Sequence, residues 1–503
     1  MKIDRLKTSA MANPLWYKTA IIYNLDVMTF KDSDGDGIGD FRGLMQGLDY
    51  LESLGVNTIW LAPFYPSPRK DDGYDVADFT RVDPRLGSDA DFDAFMQETQ
   101  KRGLRVMMDL VIDHTSDEHP WFQEAIRDAN APHHNWYVWS KERPEDSYAG
   151  MVFPNVEKEI WTYVEAVDAY YYHRFYSSEP TLNTKNPDVQ KNDEEIIRLW
   201  LGRGISGFRV DGVPFLIEEP KKGYRTPPRD HNLLTHFRKF IHNINPDAVM
   251  LGEANILPKA LSDYFGPDGC RLQMIFNFYV NQYLFFSLAT GEIGSLTKAL
   301  RASQEIPEAS QWAVFLRNHD ELDLGRLSWL ERERVFYEFG PDKEMQLYDR
   351  GIRRRLAPML GNDRRRLELA YSLNFSLPGT PVLHYGEELG MGDDLNLHER
   401  LSVRTPMQWS GEPNAGFSSG KPFRPVIDGG DYGYHNLNVA QATDEPHSLL
   451  NWIRHVIELR QQCPEIALGA YEILDAHSAH VLGMLYEHEG HRLLTLHNLC
   501  GEA

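Results

Sequence analysis

In the stretch Gly204-Ile-Ser-Gly-Phe-Arg-Val-Asp-Gly-Val-Pro214, two opposite charges, Arg209 and Asp211, interrupt an otherwise apolar run bounded by glycines. The run reads as a short buried strand, and side chains two residues apart on a strand project to the same face. A carboxylate buried there is costly unless it is paired. The pair is therefore either structural or a catalytic carboxylate at a barrel mouth, with Arg209 keeping it ionised. Three further apolar runs end the same way: Asp109-Leu-Val-Ile-Asp113-His114, Leu-Gly-Glu253-Ala-Asn255 and Arg317-Asn-His319-Asp320-Glu321. One such end is an ordinary solvated terminus, but four carboxylate-bearing ends that converge on a cleft suit glycosidic chemistry, with one acid as nucleophile and another as acid–base.

A separate acidic loop, Asp32-Ser-Asp34-Gly-Asp36-Gly-Ile38-Gly-Asp40, alternates carboxylates with glycines, a pattern that wraps a hard cation in oxygen ligands. It opens like an EF-hand, but Gly43 stands where that loop requires Glu. A solvated acidic turn is the competing reading.

Positioning these groups falls to short apolar strands that alternate with amphipathic stretches. Candidate strands are 20–27, 58–64, 105–111, 207–213, 249–254, 273–278, 312–319 and 381–385; helical patterns include 41–54, 89–102, 193–202 and 233–244. Eight strands with helical crossovers predict an α/β fold of the (β/α)8 TIM-barrel type, whose active site sits at the carboxyl ends of the strands. A doubly wound sheet is the alternative, without a G-x-G-x-x-G after the first strand to support it. Residues 1–12 read as a lead-in, 13–114 and 188–464 as the barrel with a long Gly/Asp/Asn/Pro-rich excursion after strand eight, and 115–187 as an aromatic-rich inserted lobe. Residues 465–503 switch to strand-like segments and read as a small C-terminal β-domain, cut short.

Composition narrows the partners. The 503 residues carry a net charge of −22, which argues against nucleic acid and anionic membranes. No run of about 18 apolar residues exists to span a bilayer, and the N-terminus lacks the apolar core of a signal peptide. The three cysteines, Cys270, Cys463 and Cys500, form no disulfide or zinc pattern, which favours the reducing cytoplasm.

The four carboxylate-bearing segments, in this order, resemble the signature regions of the α-amylase superfamily, glycoside hydrolase family 13, over about residues 16–409. Trp60-Leu-Ala-Pro-Phe-Tyr-Pro-Ser-Pro68, Gly351-Ile-Arg-Arg-Arg-Leu-Ala-Pro358 and Arg404-Thr-Pro-Met-Gln-Trp409 are similar to its trehalose synthase and α-glucosidase branch. The resemblance implies Asp211 as nucleophile, Glu253 as general acid/base and Asp320 as the carboxylate that stabilises the transition state. It implies that Arg209, His114, His319, Asp71 and Tyr74 hold the transferred sugar, and that Arg404 pairs with Asp71 to close the pocket behind one glucose. For the acidic loop it implies one structural calcium, or magnesium, held by Asp32, Asp34, Asp36, the Ile38 carbonyl and Asp40, and no organic cofactor. Gly212 after the nucleophile leans towards α-1,4 linkages. The implied activity is retaining transfer on small α-glucosides such as maltose, trehalose or sucrose, foremost maltose to trehalose; an oligomer is compatible with it. An exo-acting hydrolase that releases glucose is the alternative, and a non-enzymic scaffold of the same family a minor one. Asp113, Thr181 and His384 depart from the family pattern, at positions where it mostly has Asn, Asp and an aromatic.

Overall fold

The computed structural model describes residues 15–219 and 227–501, so the lead-in at 1–12 lies outside the described residues. Eight parallel strands close into a barrel: β1 (Ile22–Leu25), β2 (Thr58–Leu61), β3 (Arg105–Leu110), β4 (Gly207–Val210), β5 (Val249–Gly252), β6 (Met274–Phe276), β7 (Gln311–Phe315) and β8 (Thr380–His384). Each strand pairs with its neighbours in sequence, and β8 pairs with β1. All eight overlap the apolar runs; the first seven are shorter than their runs, and β8 keeps its length but starts one residue earlier.

The strands are apolar on both faces because each faces two cores. Tyr23, Ile59, Val106, Met108, Phe208 and Val210 point outwards and pack under the helices. Ile22, Trp60, Met107, Leu251, Met274 and Phe315 fill the barrel interior. Continuing that alternation, Asp109 follows Met107 inwards, while Arg209 and Asp211 follow Gly207. The β3–β4 register sets Asp109 directly beside Arg209.

The helices obey local signals. Ser88 and Asp91 form a reciprocal capping box at the start of Asp89–Lys101. The helix expected at 193 begins earlier, at Pro187–Gly202, because Asn186 caps it and Pro187 occupies its first turn. The pattern 41–54 is two helices, Phe41–Gln46 and Leu48–Leu54, divided at Gly47.

Between β3 and β4 the chain builds a three-stranded antiparallel sheet, with Ala169–Tyr172 between Trp139–Ser140 and Trp161–Val164. A second antiparallel sheet follows helix Leu449–Gln462, formed by Ala470–Leu474, Val481–His488 and His491–Asn498 in that order. A third, Leu322–Asp323 with Gly351–Ile352 and Gln346–Leu347, sits over the β7 end and was not expected from sequence. Among the described residues no helix is long and apolar enough to cross a membrane.

Candidate active site

Arg209 is the hub. It is 1% exposed, and its Nη1 donates to Asp109 at 2.7 Å and to Asp211, while Nη2 lies 3.0 Å from Glu253 Oε2. One guanidinium, fixed on a barrel strand, thus ties three carboxyls together. Gly212 has left-handed backbone (φ 47°), which aims its amide at Glu253 Oε2, 2.9 Å away. A Cβ there would stand 3.2 Å from the Phe175 ring, so any larger residue is both strained and crowded.

These groups open into a cavity of about 560 Å3, the size of a small-ligand site. Asp71, Tyr74, His114, Asp211, Glu253 and Asp320 all line it. Arg209, His319 and Arg404 lie behind that lining. His319 stacks parallel to Tyr74 with ring centres 5.5 Å apart, and its Nε2 is 2.5 Å from the Tyr74 hydroxyl. Arg404 donates to the His319 carbonyl at 2.8 Å.

The carboxyls differ in proton affinity. Burial pushes Glu253 up to about 7, aided by Asp211 and Asp320 and opposed by Arg209. Burial pushes Asp211 up to about 6; Arg209 and His114 oppose it, and Asp113 and Asp109 add to it. Arg209 thus favours the anion, as expected, without outweighing burial. For Asp320 burial loses, and neighbouring positive groups hold it well below the usual carboxylate range. His319 is itself driven well below its ordinary value by burial, so the effective charges on Asp320 are those of Arg400 and Arg404.

The expected Asp71–Arg404 pair does not form. Arg400 takes Asp71 at 2.5 Å and Asp320 at 3.1 Å. Arg404 reaches Asp72 at 3.1 Å and Asp320 at 2.9 Å, and Asp72 is shared with Arg424 at 2.8 Å. Arg400 lies in the first turn of the short 3-10 helix Glu399–Val403 and Arg404 caps its end, so the helix turns Arg400 to the cavity and Arg404 to the layer behind it. Arg400 is the residue the sequence reading missed. Its signal was weak, because it lies in an irregular excursion with no periodicity to assign its direction. Asp109 stood in one of the carboxylate-bearing segments but was given no role of its own.

Three remote segments meet above the pocket. Phe153 of the inserted sheet region packs on Tyr176 (4.5 Å), on Tyr348 (4.6 Å) and under the Arg400 guanidinium (5.0 Å). Glu399 accepts hydrogen bonds from the hydroxyls of both tyrosines, and Arg350 donates to the Val152 carbonyl at 2.7 Å. Of the other departures, Thr181 accepts from the Arg174 amide at 3.2 Å, and His384 bonds Asn24 at 3.0 Å while burial keeps its ring neutral.

In the acidic loop, the carboxylates of Asp32, Asp34 and Asp40 converge to within 4.8 Å of one another. Asp36 does not join them: its Oδ1 turns back to the Ile38 amide at 2.7 Å. Three of the four carboxylates expected to bind the ion are thus already gathered. Those three suit a hard cation in donor type, and the excursion after β8 is tied to this loop, since the Asp32 amide donates to the Phe417 carbonyl and that of Phe423 to the Gly37 carbonyl, each at 3.0 Å, while Asp34 stays exposed.

Fold and site together define a (β/α)8 barrel with a carboxylate-lined pocket at the carboxyl ends of its strands. The chain belongs to the alpha-amylase family, whose catalytic domain matches residues 26–334 and 350–469. It is 42% identical to a trehalose synthase of Thermus thermophilus, over 97% of this chain and 51% of that protein, so it spans about half the length of that relative. It is 41% identical to a trehalose synthase of Pimelobacter sp., over 95% of this chain and 85% of that one. The solved structure of the trehalulose synthase of Pseudomonas mesoacidophila superposes with a TM-score of 0.80 at 26% identity, over 97% of this chain and 91% of the other.

Proposed function

We propose that this protein transfers glucosyl groups with retention of configuration, acts on maltose-type α-1,4-glucosides and converts maltose to trehalose. One observation carries this reading: Asp211 and Glu253 share Arg209 at the inner face of a pocket whose end is walled by Arg400 between Asp71 and Asp320. Glu253, the weaker acid, protonates the glycosidic oxygen while ionised Asp211 bonds to the anomeric carbon. Asp320, always ionised, strengthens its hold as the ring gains oxocarbenium character. Glu253 then takes the proton of the acceptor hydroxyl as the glucosyl bond to Asp211 breaks. The required states coexist between about pH 6, above which Asp211 is ionised, and about pH 7, below which Glu253 is protonated. Activity falls on either side.

Retention of the released glucose separates transfer from hydrolysis, and the packed cover of Phe153, Tyr176 and Tyr348 supports it. Incubation with maltose tests the proposal. Trehalose as the main product is expected; free glucose as the main product would make the protein an exo-acting hydrolase.

The wall makes its own prediction. Arg400→Ala leaves Asp71 without its guanidinium, and we expect a loss of about 2–5 kcal/mol in kcat/KM on maltose, as for a broken buried charge pair. A loss no larger than that of an exposed surface pair would place the wall away from the sugar.

We also propose that Asp32, Asp34 and Asp40 hold a structural calcium that braces the β1 loop against the later excursion, away from the carboxyls of the pocket. Chelation should lower Tm and calcium should restore it; a Tm indifferent to both would leave the loop a plain acidic turn. The free thiols of Cys270, Cys463 and Cys500 support a reducing, cytoplasmic setting.

A further inference from the structure

Outside the pocket lining, helix Trp329–Phe339 carries the three most exposed large apolar side chains among the described residues: Trp329 at 64%, Leu330 at 73% and Tyr337 at 72%. Its opposite face is seated in the core by Val335, Phe336 and Phe339, and a reciprocal capping box of Ser328 and Glu331 fixes its first turn. The exposure therefore belongs to a firmly held helix, not to a frayed end.

At 3.6 residues per turn, Leu330 and Tyr337 stand two turns apart, within about 20° of each other, and form the crest of the outer face. Glu333 and Arg334 lie midway between them, on opposite flanks of that crest. Glu333 takes part in no ion pair or side-chain hydrogen bond among the described residues. Arg334 lies over the Tyr337 ring at 5.6 Å and donates to the Ala289 carbonyl at 2.8 Å, and it has no carboxylate partner among the described residues. Ala289 belongs to helix Phe278–Thr290, which therefore borders the Arg334 flank. Tyr279 and Tyr283 of that helix, with ring centres 5.1 Å apart, are half-buried. Trp329 stands on the other flank, with Glu333.

An apolar crest exposed to this degree marks an association surface, and the charges select what fits it. A two-fold axis that runs along the helix sets Leu330 against its own copy and Tyr337 against its own. It also exchanges the flanks, so Glu333 meets the partner's Arg334, and the same contact recurs on the other side. Trp329 is turned to the side where the partner's Tyr279 and the partner's Tyr283 lie. An antiparallel pair keeps like flanks together and would set Glu333 beside the partner's Glu333. The face is thus complementary to itself in the parallel arrangement, the condition for a closed two-fold contact. We propose that this face is the contact between two copies of the chain, a parallel helix pair in which two Glu333–Arg334 ion pairs flank the Leu330 and Tyr337 crest.

The test is sedimentation equilibrium of the full chain at about 0.15 M salt, where repulsion between two chains of net charge −22 is screened beyond about 8 Å. The wild type should sediment as a dimer in equilibrium with monomer. Glu333→Arg confronts the partner's Arg334 with a like charge at both contacts and should raise the dissociation constant at least about tenfold. Adding Arg334→Glu to it restores opposite charges in reversed order and should return the constant towards that of the wild type. Thermal melting of each variant establishes that it is folded, and the rescue by the double reversal separates a charge contact from damage to the helix. A wild type that is monomeric up to its solubility limit overturns the proposal. So does a dimer that Glu333→Arg leaves unchanged, because it would use another surface, and so does a loss that the double reversal fails to recover.

Discussion

Asp211→Asn should lower turnover of maltose by roughly four orders of magnitude or more, the scale of loss when a covalent nucleophile is removed. It should do so without unfolding the protein. Arg209 retains Asp109 at 2.7 Å and Glu253 at 3.0 Å, so the hub stays paired. The sign of the stability change follows from the raised pKa of Asp211. A carboxyl pushed up to about 6 is harder to ionise folded than unfolded. Its ionisation therefore opposes folding above that pH, and the penalty fades as the pH falls towards the unfolded value. The uncharged amide relieves it, so Tm near neutral pH should match or exceed that of the wild type. Calorimetric melting, glucose binding and turnover form one decisive set. A folded, glucose-binding variant that keeps more than about 1% of turnover would exclude Asp211 as the nucleophile.

Glu253→Gln should divide substrates by leaving group. A positioned general acid contributes about 10²–10⁴-fold, and only where the departing oxygen needs a proton. Maltose needs one; an activated aryl α-glucoside does not. We expect a loss in that range on maltose and a far smaller one for formation of the glucosyl-enzyme from the aryl substrate. The alkaline limb near pH 7 should vanish with the carboxyl, while the acid limb of Asp211 remains. Equal losses on both substrates, or an alkaline limb that survives, would remove Glu253 from the role.

The barrel was legible because its strands are buried on both faces and read as unbroken apolar runs between turn signals. Asp211 was legible for the opposite reason: a charge inside such a run has no solvated explanation. The wall was not. Arg400 and Arg404 sit four residues apart in a segment without helical or strand periodicity, and one turn of 3-10 helix decides which meets Asp71. The small sheet of 322–352 was hidden by strands of two residues each, too short to leave a pattern.

The cover in which Phe153, Tyr176, Tyr348 and Glu399 meet draws its parts from segments inserted after three different strands, β3, β7 and β8. None of those four side chains belongs to the proposed acid–base apparatus, which is anchored on β4, β5 and β7. On the proposed reading, product choice and bond-breaking power are therefore heritable separately. Insertions or replacements in any one of the three segments can retune how long the first product is detained while the reactive centre stays fixed. A family built this way can diversify its repertoire of sugars at its periphery, one loop at a time.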